Sequence, residues 1–136
     1  MNPNWPNAEE AKILRDSFRR AIPASEEAAL RMYEGVFKEE PSVRDLFSDD
    51  LVKQQEKLVQ SLAVCLDLLE NPEQFTSLCQ DLGARHQNYG TKPEHYALVA
   101  RHMITAFGEV IQPPLSDEET RLWIRFINLI CDAMKE

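Results

Sequence analysis

Residues 71–90 read NPEQFTSLCQDLGARHQNYG, and their pattern sets the fold class. Asn71 and Pro72, with Gln74 three places after the asparagine, make a helix start. A small polar side chain caps the first backbone donors, proline suits the first turn, and the glutamine reaches back. Beyond it, Phe75, Leu78, Cys79, Leu82, His86 and Tyr89 recur every three or four residues, so they share one helical face. His86 is thereby placed on the inner face at the helix end. A lone histidine on such a stripe is ordinarily a hydrogen-bonded core residue, so its company decides its meaning.

The same periodicity runs through the chain. Capping signatures recur at Thr91-Lys92-Pro93-Glu94 and Ser116-Asp117-Glu118-Glu119. Acidic pairs at Glu26-Glu27 and Asp49-Asp50 favour helix first turns. The reading predicts helices near 8–20, 24–39, 50–70, 72–86, 93–111 and 117–134, with a short helical turn at 41–46. There are only four glycines, no Asn-Gly or Asp-Gly hairpin signal and no alternating runs of Val, Ile and Thr, and the eight prolines fall mostly between the periodic segments. An all-α single domain over 1–136 is expected, without repeats or long linkers.

The chain has 136 residues, 43% of them hydrophobic, enough for one substantial core. Its 23 acidic against 15 basic residues give a formal charge of -8, which repels phosphate backbones and anionic lipid surfaces. Neither nucleic acid nor membrane is expected as a partner. No apolar run approaches the ~20 residues that cross a bilayer. The first eight residues lack a basic start and an apolar stretch, so a cytoplasmic location is expected. Cys65, Cys79 and Cys131 form no Cys-x-x-Cys pair and read as buried free thiols. Phosphate loops, Gly-x-Ser-x-Gly elbows and His-Glu-x-x-His are absent.

Other polar groups lie on apolar stripes. In the second helix Leu30, Tyr33 and Phe37 turn the Tyr33 hydroxyl inward, where it wants a partner. In the third, Leu51, Leu58, Leu62, Cys65 and Leu69 form the stripe, and Gln54 or Gln55 fills the gap between Leu51 and Leu58. A buried amide without partners costs about 1–3 kcal/mol, so something polar is expected opposite it. In the fifth, Tyr96 leads Val99, Met103 and Phe107. His95 and His102, seven residues apart, read as solvent-facing. One inward imidazole on one helix, with a tyrosine and a glutamine on two others, is the composition of a pocket for a metal cofactor with a ligand-binding side.

At this point the residues resemble the globin family, in particular single-domain bacterial globins and the haem domains of flavohaemoglobins, over about 8–134. The resemblance is carried by Tyr33-Glu34-Gly35-Val36-Phe37, by Pro41 followed by Leu46-Phe47, and by Leu82 through Gly90 running into Lys92-Pro93-Glu94-His95-Tyr96. It implies a three-over-three helical fold around haem b, iron protoporphyrin IX, with His86 as the proximal iron ligand. Phe47, Leu58, Leu82, Tyr96 and Val99 then line the cofactor. Tyr33, fourteen residues before Phe47, matches the distal tyrosine of bacterial globins, and Gln54, seven after Phe47, matches the distal glutamine with Leu58 one turn on. That spacing prefers Gln54 to Gln55. The glutamate that completes a proximal triad in flavohaemoglobins falls at about Glu136, where the chain ends, and is expected to be missing.

The function implied is reversible binding of oxygen, carbon monoxide and nitric oxide, with Tyr33 and Gln54 stabilising oxygen. A monomer or weak homodimer is expected. The chain carries no flavin or nicotinamide module, so an external reductase would serve any redox turnover. Two alternatives stand beside this: a nitric oxide dioxygenase using that reductase, and a haem-free helical sensor or interaction module.

Overall fold

The computed structural model describes residues 3–47 and 49–135. Six α-helices carry the chain: α1 (Ala8–Ala21), α2 (Ser25–Glu39), α3 (Leu51–Asp67), α4 (Pro72–Asn88), α5 (Pro93–Val110) and α6 (Asp117–Lys135). Short 3₁₀ turns at Ile22–Ala24 and Pro41–Leu46 precede α2 and follow it. No strand occurs among the described residues, and no helix among them is long and apolar enough to cross a membrane.

Local chemistry explains most of the helix ends. Asn7 and Glu10 cap α1 reciprocally, through bonds of 2.8 and 3.0 Å. Ser116 and Glu119 do the same for α6, and Asp50 and Asn71 cap α3 and α4. The predicted Thr91 cap does not form. Lys92 occupies the cap of α5, and its N–H donates to His95 Nδ1 at 3.0 Å, so an imidazole takes the place expected for Glu94. Helix α4 runs two residues past its predicted end and closes on Gly90, whose φ of 92° lies in the left-handed region. Gly90 N–H then donates to the Gln87 carbonyl and Thr91 N–H to that of His86, which satisfies orphan acceptors at the helix end.

The most extensive packing is of α2 on α5 and of α4 on α6, with α5 and α1 also against α6 and α3 against α2 and α1. The contact of α4 with α6 depends on Gly83, because a Cβ there would lie 1.9 Å from the Met134 carbonyl oxygen. One core cluster gathers α1, the later part of α3, α4 and α6 around Leu14, Cys65, Phe75, Cys79 and Phe126. A second joins Met32, Tyr33 and Val36 of α2 to Val43 and to Leu98 and Ala106 of α5. Leu58 and Met103 pack against both clusters, yet each is only half-buried.

The buried arc of α2 differs from the predicted one. Ala28, Ala29, Met32, Tyr33 and Val36 are buried, whereas Leu30 is 42% exposed. The alanines let α5 approach, and Leu30 lies beyond the edge of that arc. Tyr89, placed on the inner stripe of α4, is 64% exposed because the chain turns away at Gly90.

An ion pair ties the end of α1 to the first turn of α6. Arg20 of α1 donates twice to Glu119 at 2.6 and 3.0 Å, and this guanidinium pulls the Glu119 carboxyl down to about 2. A carboxylate with a depressed pKa stabilises the fold above its unfolded value, near 4.5, and loses that contribution as pH falls towards 2. Glu119→Gln should therefore lower stability by about 1 kcal/mol at pH 7 and flatten the acid dependence of thermal unfolding between those limits. An unchanged acid profile would remove the pair from the stability of the fold.

Candidate functional site

His86 stands in the last turn of α4, three residues after the glycine that brings α6 close. Its Nδ1 lies 2.6 Å from the Leu82 carbonyl oxygen. A carbonyl only accepts, so Nδ1 carries the proton and the Nε2 lone pair is left for a metal. The ring is further held by Tyr96 of α5, edge to face with centroids 6.1 Å apart. Among the described residues no group of three or more His, Cys, Asp or Glu could hold a metal ion. A metal at His86 must therefore bring its other ligands with it, as a porphyrin does.

Across the fold, Tyr33 is 2% exposed and makes no hydrogen bond among the described residues. Burial pushes its phenol up to about 12, so it remains a protonated donor at neutral pH. Two rings fix it in place. Phe37 stacks at 6.0 Å, Phe47 meets it edge-on at 5.5 Å, and Phe37 and Phe47 lie 5.4 Å apart. Arg44 sits over Phe37 at 5.2 Å. Its Nη1 also donates to the Phe47 carbonyl. The Arg44 contacts carry no helical period in the sequence, since they arise inside the 3₁₀ turn.

The structure gathers Tyr33, Phe47, Leu58 and Val99 around one cluster, and Leu58, Leu82 and Tyr96 around the other. Leu58 joins the two groups. Of the predicted wall, Phe47, Leu58, Leu82, His86 and Val99 are all half-buried although they belong to central helices and the turn beside them. Leu51, half-buried in the same cluster, belongs with them.

The two glutamines separate cleanly. Gln55 is the buried one, and its Nε2 donates to Ser25 Oγ of α2 at 3.2 Å. Ser25 is thus the polar group expected opposite the amide. Gln54 is half-buried, and its side chain makes no hydrogen bond among the described residues. Gln55 is committed to a neighbouring helix, and Gln54 alone retains its amide for a ligand.

Beside His86, Tyr96 also has an unpaired hydroxyl among the described residues. That hydroxyl is buried, and burial raises its pKa. The triad glutamate, expected to be missing, would fall at about Glu136, which lies outside the described residues. Cys65 and Cys79 are free and buried, and Cys131 is free and half-buried. The Cys65 thiol beside Cys79, together with burial, pushes the latter far above the range where a thiolate forms. His95 and His102 are half-buried rather than simply solvent-facing. His95 caps α5, and His102 lies 3.1 Å from Glu39 of α2.

A family model described as Globin matches residues 30–134. A flavohemoprotein of Rhizobium meliloti is 24% identical over 105 residues, which cover 75% of this chain and 26% of that protein. The chain spans about a quarter of the length of the curated flavohemoproteins it matches. A bacterial globin structure from Campylobacter jejuni superimposes with a TM-score of 0.78 at 21% identity, covering 95% of this chain and 96% of the other. A structure described as a hexacoordinated heme protein from an anhydrobiotic tardigrade gives 0.85 at 14% identity, covering 99% and 97%.

Proposed function

We propose, from the premise that this chain belongs to the globin family, a family of haem proteins, that it binds haem b through His86 and uses the opposite face to bind oxygen and other diatomic gases. The observation that carries the reading is Tyr33: a buried residue whose phenol stays protonated and makes no hydrogen bond among the described residues, in the cluster against which Phe47, Leu58 and Val99 pack. The haem iron would supply the position that takes the gas.

The residues of the chain divide the remaining work. Leu82 holds His86 in the tautomer whose Nε2 is a donor. Phe47, Leu58, Leu82 and Val99 supply apolar walls that keep bulk water from the cofactor. Tyr33 would donate a hydrogen bond to a polar diatomic ligand such as oxygen, and Gln54 would add a second donor. Carbon monoxide, less polar when bound, gains less from either. At about 1 kcal/mol for each bond, the pair would favour oxygen by more than tenfold. Slow oxygen release suits scavenging, sensing or reaction with nitric oxide better than bulk delivery.

Tyr33→Phe tests the reading directly, because it keeps the ring stack and removes only the hydroxyl. Oxygen dissociation, followed by rapid mixing, should accelerate about five- to tenfold, while carbon monoxide dissociation stays nearly constant. Equal acceleration of both gases would mean a steric gate. No change in either would take Tyr33 out of the site.

A further inference from the structure

We propose that His102 is a positioning residue for Tyr33: its ring, seated against Gly35 and tied to Glu39, sets the roll of α2 and thereby the place of the Tyr33 hydroxyl. The proposal rests on the gas-binding reading for its consequence, but its structural half can be tested separately.

Tyr33 makes no hydrogen bond among the described residues, so its oxygen lies wherever α2 and the ring stack put it. Helix α2 packs most extensively against α5, and at Gly35 the two approach closely. A Cβ added there would fall 2.5 Å from His102 Nδ1 and 2.9 Å from Cε1. The imidazole thus occupies the volume that any other residue at 35 would claim. Its other nitrogen, Nε2, lies 3.1 Å from Glu39 Oε1, one helical turn beyond Gly35. Arg101, next to His102 on α5, adds two bonds to the same carboxylate at 2.8 and 2.6 Å. The Arg101 guanidinium first, and His102 second, hold the Glu39 carboxyl at about 2, so it is an anionic acceptor at neutral pH.

Gly35 and Glu39 are four residues apart and lie on one edge of α2, while Tyr33 sits about 160° around the helix from Gly35. The grip and the tyrosine are therefore on opposite edges of the face that α2 buries. A wedge at one edge rolls the helix. For an atom ~6 Å from the axis, each degree of roll moves it by roughly 0.1 Å. Hydrogen bonds weaken steeply over a few tenths of an ångström and with misalignment. Small changes at Gly35 thus reach the hydroxyl without touching the pocket wall.

The test uses haem-loaded protein in four forms: parent, Gly35→Ala, His102→Ala and the double variant. Fluorotyrosine incorporation gives each tyrosine a fluorine resonance, and loss of one signal in Tyr33→Phe assigns that of Tyr33. The proposal predicts that the Tyr33 resonance moves in both single variants and returns towards its parental position in the double variant, where the new methyl meets a vacated space. Oxygen release should change about threefold or more in each single variant, with carbon monoxide release nearly constant. In a Tyr33→Phe background neither substitution should alter oxygen release further, an outcome that general loosening of the fold would not give. Should Gly35→Ala fail to fold, His102→Ala carries the same comparison. An unmoved Tyr33 resonance in the single variants, or an effect on oxygen release that persists without the Tyr33 hydroxyl, overturns the proposal. If Tyr33→Phe itself leaves oxygen release unchanged, the gas-binding reading fails instead, and the fluorine resonance still decides whether His102 positions Tyr33.

Discussion

His86→Ala should yield a folded protein that no longer retains haem at one equivalent per chain. The expectation follows from the three imidazoles of the chain. His86 donates its Nδ1 proton to the Leu82 carbonyl and keeps a lone pair on Nε2. His95 accepts from the Lys92 N–H at Nδ1, so its neutral form carries the proton on Nε2 and has no lone pair to offer there. His102 is turned to Gly35 and Glu39 on the far edge of α2. Loss of the only imidazole beside the Leu82 wall removes the one nitrogen donor placed for the iron. Haem content, measured as absorbance per chain after reconstitution and gel filtration, should fall to a small fraction of the parent's. His95→Ala should retain full loading, with stability reduced only by loss of a helix cap, about 1 kcal/mol. Retention by His86→Ala together with loss by His95→Ala would place the pocket elsewhere.

Gly83→Ala should destabilise the fold severely. The new methyl would lie 1.9 Å from the Met134 carbonyl oxygen and 2.7 Å from its carbon, and those atoms belong to the backbone of α6, which cannot step aside as a flexible side chain could. The helices must separate, opening the packing of Cys79 and Phe75 against Phe126 and Ile130. Overpacking of a core typically costs 1–3 kcal/mol, and a backbone obstacle places this substitution at about 3 kcal/mol or more. Thermal unfolding should shift down by roughly 10 °C. Since Gly83 is one turn before His86, haem affinity should weaken as well. A shift of only one or two degrees would mean that α4 and α6 approach less closely than described.

The sequence discloses these elements unevenly, for physical reasons. Periodicity located six helices, and the capping chemistry of Asn71 and Ser116 fixed two starts, because both signals are local. The inward position of His86 followed from the stripe through Phe75, Cys79 and Leu82 for the same reason. Leu30 was misplaced because a stripe gives a direction and not the width of the buried arc, which the alanines of α2 and the approach of α5 decide. The helical stripe alone left Gln54 and Gln55 open, and the spacing from Phe47 preferred Gln54. The bond from Gln55 to Ser25, thirty residues away, was invisible to both signals. The Thr91 cap failed because His95 supplied an acceptor that a motif built on glutamate does not include. The notches at Gly35 and Gly83 have no signature at all, since each is defined by the partner that fills it, His102 in one case and the Met134 backbone in the other.

The most direct test of the account is a titration of the purified chain with haem, followed by the absorption spectrum of the reduced protein before and after oxygen is admitted. The account predicts saturation at one haem per chain. The ligand-free ferrous form should be largely five-coordinate, because neither the neutral Tyr33 phenol nor the Gln54 amide is a good donor to ferrous iron. Oxygen should then convert that spectrum reversibly. Failure to take up haem, or a ferrous spectrum already six-coordinate and indifferent to oxygen, would contradict the central claim.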